Sequence, residues 1–284
     1  MGMHRPSYSI CSAIVGKSAI VSPSTHLSVM YITRDQFGQK PSSSEQRTRL
    51  WWCTTRAFAY LPIHAAGIYD KEDIDCCSDY VTSSYTPTLQ ALINARQSYR
   101  TIKRSEARIL LGATPHPYTG TRIPATVEEI RCISKLVPKK LVIPLDSADD
   151  VLADPEARGM SVASALDWLF NERPTIMHIA SHGQQDSLNP LESGFLLRDG
   201  KLTMLEIMRH PVGSSRETSH DMRTATPTTT TSATSTFLAF LSACETARVT
   251  GPFAHQAIHL AASMLFAGFK SVVATMWYVR LRCS

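Results

Sequence analysis

The chain of 284 residues has no block of lysine and arginine, no unbroken apolar stretch of membrane-spanning length, no C-x-x-C pair and no G-x-S-x-G. Each absence removes a class of function. The formal charge of +5, from 29 Lys and Arg against 24 Asp and Glu, is spread thinly. Nucleic-acid binding draws its affinity from several clustered phosphate contacts, so no nucleic-acid partner is expected. A membrane helix needs about 18 or more consecutive apolar residues, so no membrane partner is expected either. The opening Met1-Gly2-Met3-His4-Arg5 lacks the apolar core and small-residue cleavage site of a secretory signal. Pro6 stands where myristoylation wants Ser or Thr, and Cys283 is too near the end for prenylation. These absences predict a cytoplasmic protein. Its seven cysteines (Cys11, Cys53, Cys76, Cys77, Cys132, Cys244 and Cys283) match neither a zinc ribbon nor a thioredoxin motif. In a reducing compartment most of them are expected to be buried small hydrophobes or bystanders.

Two further motifs fail on inspection. Gly16-Lys17-Ser18 ends like a phosphate loop, but the first glycine of that motif would fall at Cys11, and no strand-to-helix pattern surrounds it. His255-Gln256-Ala257-Ile258-His259 has the i, i+4 histidines of a zinc helix. Gln256 cannot act as the general base, and no third ligand is evident. No metal and no organic cofactor is expected. The missing G-x-S-x-G removes the main support for a serine hydrolase of that kind.

With 43% hydrophobic residues and a mean hydropathy of −0.09, the chain can bury an ordinary core. Residues 1–47 are rich in Ser and Thr with little periodicity and read as a loosely ordered leader. From residue 48 the texture changes: Leu50-Trp51-Trp52-Cys53 and Phe58-Ala59-Tyr60-Leu61 suit short strands, and Asp79 to Tyr85 alternates in the same way. Pro87 begins a helix to about Tyr99. A βαβ rhythm follows, with strands at Arg108–Ala113, Leu141–Leu145, Thr175–Ala180, Phe195–Leu197, Phe237–Leu241 and Ser271–Trp277. Helices are predicted from Pro124 through Val137, after a Ser161 cap, over Leu202–Met208 and over Phe253–Ala267. Continuous apolar strands alternating with amphipathic helices predict an open, mostly parallel sheet covered on both faces. Residues 211–236 break the rhythm. Of these 26 residues 14 are Ser or Thr, so burial cannot offset the entropy of ordering them, and they read as a disordered insertion.

Two strand ends carry reactive side chains. The strand through His178 runs into Ser181-His182-Gly183, and the strand through Leu241 runs into Ser242-Ala243-Cys244-Glu245-Thr246. Sites in open parallel sheets lie past the carboxyl ends of the strands. If the two strands are neighbours, His182 and Cys244 face one cleft, where an imidazole can deprotonate a thiol and later protonate a leaving amine. The backbone N–H groups of Gly183 and Cys244 could then form an oxyanion hole. The plainer reading is that Cys244 is buried packing and His182 a satisfied core or surface group, and residue type alone leaves both open. His178 has the parity of His182 along its strand and is expected to make a structural hydrogen bond.

Four ordered blocks carry a resemblance: Ile179-Ala180-Ser181-His182-Gly183, Glu192 to Gly200, Leu241 to Ala247, and Ala267 to Trp277. Together they resemble the CHAT domain, a caspase-like, separase-related family of cysteine peptidases usually attached to tetratricopeptide repeats. Leu50 to Cys53 and Leu61 to Gly67 resemble its amino-terminal part, so the resemblance covers about residues 48–278. It implies a caspase-like α/β fold, His182 as general base, Cys244 as nucleophile, Gly183 in the oxyanion hole, and a protein substrate. The two dyad positions lie 62 apart, or 36 without the Ser/Thr-rich insertion, against about 50 in caspases. It also implies a repeat-array or sensor partner, although no 34-residue repeat precedes the domain. The tail 279–284 replaces the acidic segment and helix that the family carries after Trp277, which predicts a sheet edge lacking its last helix. A catalytically silent interaction or scaffold module is the alternative. A flavodoxin-like ligand-binding domain would need a glycine-rich phosphate loop that the sequence does not contain.

Overall fold

A computed structural model describes residues 35–36, 38, 40, 47–55, 58, 61–69, 74–97, 101–143, 159–186, 188–209, 236–243 and 260–275. The chain divides into two compact units, Met1–Leu92 with Gly251–Ala257, and Ile93–Thr250 with Ile258–Ser284.

In the first unit, strands β1 (Thr48–Trp52) and β4 (Val81–Tyr85) pair in parallel, Thr48 opposite Val81 and Trp52 opposite Tyr85. Strands β2 (Gly67–Tyr69) and β3 (Ile74–Cys76) form an antiparallel pair. A single turn of helix, α1 (Cys77–Tyr80), leads from β3 directly into β4. Leu50, Trp52, Ile63, Cys77, Tyr80 and Val81 make a small core there. Asp79 caps the turn by accepting the Cys76 backbone N–H at 3.0 Å, so Asp79 and Tyr80 are helical where alternation predicts strand. Phe58 and Leu61 are not strand either. The Leu61 N–H bonds the Phe58 carbonyl at 3.2 Å, which closes a turn before Pro62. Helix α2 (Leu89–Gln97) then leaves this unit, as predicted after Pro87.

The second unit is built on a four-stranded, fully parallel sheet. Its strands are β5 (Ile109–Ala113), β6 (Ile176–Ala180), β10 (Leu238–Ser242) and β11 (Ser271–Ala274), in the order β11-β10-β6-β5. The registers align in rows, so that Leu110, Met177, Ala239 and Val272 share one face, and Leu111, His178, Phe240 and Val273 the other. The four strands read as continuous apolar runs because both of the sheet's faces take part in packing.

The first face carries the main core. Helix α4 (Val162–Asp167), a π-turn at Trp168–Glu172, α5 (Met204–Arg209) and α6 (Leu260–Phe266) supply Ala165, Leu169, Ile207, Leu260 and Met264 against Met177, Ile179, Ala239 and Leu241. Each large side chain buried here contributes about 1.5–3 kcal/mol. The Ser161 hydroxyl caps α4 by accepting the Ser164 N–H at 3.1 Å, as the sequence predicts. The opposite face is covered over β5 and β6 by helix α3 (Ala125–Leu136), whose Val127 and Ile130 pack on Leu111 and Ala113. Toward β11 that face opens, leaving Phe240 38% and Val273 46% exposed.

A small antiparallel sheet of β7 (His182–Gln184), β8 (Gly194–Leu196) and β9 (Lys201–Thr203) follows β6. Leu202 therefore lies in a strand, and α5 starts only at Met204, two residues later than the amphipathic pattern suggests. Leu141 lies in a 3₁₀ turn, and among the described residues of its predicted strand, 141–143, Val142 alone makes a β-bridge, to Ile109. All of the predicted leader but residues 35–36, 38, 40 and 47, residues 211–235 of the insertion, residues 253–259 of the predicted Phe253 helix and the tail after Thr275 lie outside the described residues. Thr236 is buried and donates its hydroxyl to the Gly268 carbonyl at 2.9 Å.

Candidate functional site

Strands β6 and β10 are neighbours, and their ladder ends level, with Ala180 opposite Ser242. His182 stands two residues beyond Ala180, and Cys244 stands two residues beyond Ser242. Cys244 itself lies outside the described residues, as do His255, His259 and Gly16-Lys17-Ser18. Past the last rung the Ser181 N–H reaches the Ser242 carbonyl at 3.3 Å, and the Ser181 hydroxyl donates to the His182 carbonyl at 3.3 Å.

His182 opens β7 opposite Leu196, and Gly183 follows opposite Phe195. The imidazole is half-buried. Its Nε2 lies 2.9 Å from the backbone carbonyl of Thr121 and 3.5 Å from the Thr121 hydroxyl. Carbonyl oxygen accepts and never donates, so Nε2 carries the proton and Nδ1 of the neutral ring is left as the basic atom.

The loop after β5 delivers that carbonyl, and it is tied along its length. Thr114 N–H bonds the Ala180 carbonyl at 2.9 Å, Tyr118 N–H the Leu197 carbonyl at 2.8 Å, and Ile123 N–H the Pro115 carbonyl at 3.0 Å. Gly120 turns the loop with φ of +95°, a conformation L side chains rarely adopt, and its Cα hydrogen side faces the His182 ring. Nothing in the sequence marks Thr121, because the group that matters is a peptide carbonyl that any residue possesses.

Beneath this, on the α3 face of the sheet, lies a polar cluster that residue patterns do not announce. Glu129 Oε1 accepts from His178 Nε2 at 2.8 Å, and Glu129 Oε2 accepts from the Ser242 hydroxyl at 2.9 Å. The His178 ring stacks on Phe240 with centroids 4.8 Å apart and planes 12° apart. His178 thus makes the structural hydrogen bond expected of it. Burial pushes the Glu129 carboxyl up, but the His178 and Ser242 hydrogen bonds outweigh it and hold the group below its ordinary value. The available signal for Glu129 is its place on the flank of the apolar stripe formed by Val127, Ile130 and Ile133.

The described cysteines are free thiols. Cys76 and Cys77 are buried, and Cys53 and Cys132 exposed, consistent with packing and bystander roles. Among the described residues no helix is long and apolar enough to cross a membrane.

The second unit is thus a parallel α/β sheet with His182 just past the carboxyl end of one of its two central strands. The chain matches the CHAT domain over residues 22–284, and it belongs to that family, which is caspase-like and peptidase-related. No curated protein matches the chain.

Proposed function

We propose that the protein is a cytoplasmic cysteine endopeptidase in which Cys244 is the nucleophile and His182 the general base. The observation that carries this reading is the β6–β10 register, which ends both strands level and leaves each residue two positions beyond the last pair. The Thr121 carbonyl supports it by leaving Nδ1 of His182 unprotonated and ready to take a proton.

On this reading His182 Nδ1 accepts the Cys244 thiol proton, and the thiolate adds to the scissile carbonyl carbon of a protein substrate. The carbon–sulfur bond forms as the carbonyl π electrons move onto oxygen, where the N–H groups of Gly183 and Cys244 would hold the negative charge. Collapse breaks the carbon–nitrogen bond, and the imidazolium returns its proton to the departing amine. Water, deprotonated by His182, then hydrolyses the thioester and frees the thiol. No cofactor enters these steps. A partner bearing repeats or a sensor supplies the activating signal, as the family's architecture suggests.

A peptide-based thiol-reactive probe tests the reading. It should label the wild-type protein at Cys244, and neither Cys244→Ala nor His182→Ala should be labelled at that position. Labelling of His182→Ala at the wild-type rate would mark Cys244 as merely an exposed thiol and sink the proposal.

A further inference from the structure

We propose that Glu129 is a positioning residue whose carboxylate braces the carboxyl end of β10 against β6, and so fixes where the chain leaves the sheet toward Cys244; its catalytic consequence rests on the peptidase reading above. Three elements meet at this carboxylate. Glu129 sits on α3, His178 on β6 and Ser242 on the last rung of β10, 113 residues further along the chain. Both carboxylate oxygens are engaged, each by a donor from a different strand.

The position argues that the brace has a purpose beyond packing. Glu129 has a side chain only 28% exposed, and its partner His178 one only 10% exposed. Taking a carboxylate this far from water costs free energy that an apolar residue on the flank of α3 would avoid. What the carboxylate does is hold two strands at the point where their backbone ladder stops. Beyond Ser242 the next link between them is the longer 3.3 Å bond from Ser181 N–H. From the other side, the Thr275 hydroxyl donates to the Ala243 carbonyl at 2.6 Å. The exit of β10 is therefore held at two consecutive residues, by Glu129 at one and Thr275 at the next, immediately before Cys244.

The brace is tested with Glu129→Ala, Glu129→Gln, Ser242→Ala and the double variant of Glu129→Ala with Ser242→Ala. Peptide hydrolysis is expressed per titratable thiol, and hydrogen exchange is followed at the amides of residues 243–246. Glu129→Ala should lower kcat by roughly 10- to 100-fold with KM within about twofold, the scale of loss produced by a misplaced reacting group. Glu129→Gln should restore most of that kcat. Its amide oxygen can accept from His178, and its NH₂ can donate to a Ser242 hydroxyl that turns to receive it. Ser242→Ala should lower kcat alone, and the double variant should lose less than the product of the two single losses. Exchange at 243–246 should quicken by about tenfold in Glu129→Ala. A wild-type protein that labels normally while Glu129→Ala keeps both its kcat and its exchange rates overturns the brace and leaves the peptidase reading standing. A wild-type protein with no His182-dependent labelling overturns the peptidase reading. In that case exchange decides the brace, quickened exchange upholding it and unchanged exchange ending it. Should Glu129→Ala fail to fold, Ser242→Ala with unaltered kcat and exchange overturns it in the same way.

Discussion

The Thr121 carbonyl and the His182 Nε2 stand 2.9 Å apart, so a backbone atom of the loop after β5 sets which nitrogen of the imidazole is free. Two substitutions separate the backbone from the side chain. Thr121→Ala keeps the carbonyl and removes only a hydroxyl at 3.5 Å, so kcat/KM for a cleavable peptide should stay within about twofold of wild type. Gly120→Ala forces a side chain onto a φ of +95°, a strain on the order of 1–3 kcal/mol that the loop can relieve only by moving its carbonyl. It should lower kcat/KM by roughly tenfold, following the scale of that strain. The reverse order of the two effects would show that the hydroxyl, and not the peptide, orients His182.

In the first unit the His64 backbone N–H donates to the Tyr85 hydroxyl at 3.0 Å, and the same hydroxyl faces His64 Nδ1 at 2.8 Å. Burial pushes the Tyr85 phenol up to about 12 and pushes His64 down. For Tyr85, stability is fully present below the ordinary value of 10.0 and is lost as pH rises toward 12, because the unfolded chain gives up its proton first. For His64 the loss comes at the other end, as pH falls below 6.5 and the unfolded chain takes a proton that the buried ring resists. Tyr85→Phe removes both hydrogen bonds and should cost about 1–3 kcal/mol near neutrality. Denaturant midpoints measured from pH 9 to 12 should fall less steeply in Tyr85→Phe than in wild type. Parallel curves would separate Tyr85 from the alkaline limb.

The legible part of this molecule is the part that periodicity controls. The runs Arg108–Ala113, Thr175–Ala180, Phe237–Leu241 and Ser271–Trp277 read as strands because two-sided packing writes unbroken apolar runs, and each contains or overlaps one of β5, β6, β10 and β11. What the runs do not contain is register, and the alignment of Ala180 with Ser242 came only from the assembled sheet. The three-residue strands β7 and β9 were hidden because His182-Gly183-Gln184 and Lys201-Leu202-Thr203 are too short to show alternation. Leu202 looked helical beside Ile207, and only the pairing of Leu202 with Phe195 separates the strand from the helix that follows. Of the site, His182 and Cys244 were readable as reactive residue types past strand ends. Thr121 and Glu129 were not, since one acts through a peptide group and the other resembles any glutamate on a helix until the fold brings Ser242 to it.

Apolar residues at similar helical or strand spacing need not carry similar weight. Phe195 is fully buried in the main core, whereas Leu136, which continues the apolar spacing of α3, is 84% exposed at its last turn. Phe195→Ala should cost about 3–5 kcal/mol, through lost transfer energy and the cavity it leaves. Leu136→Ala should stay within about 0.5 kcal/mol of wild type. Urea denaturation of both variants checks the contrast. A Leu136→Ala loss as large as that of Phe195→Ala would place the end of α3 in a buried contact.

The same Glu129 that ties β6 to β10 gives the fold a sensitivity to acid with a definite sign. Its folded-state value lies below the ordinary 4.5, because two donors favour the ionised form more than burial opposes it. An unfolded chain therefore takes up the proton before the folded one does. The stabilisation is complete above about pH 5.5, begins to fail as pH approaches 4.5, and is lost as pH falls through the depressed folded value. In Glu129→Gln this titration is absent, so the melting temperature should be lower than wild type at pH 7 and the two should converge as pH falls toward 3. Other carboxylates, Asp79 and Asp186 among them, also sit below their ordinary values and will lower both curves together. The difference between wild type and variant isolates Glu129, and a difference that stays constant from pH 7 to 3 would mean that its charge contributes nothing to the fold.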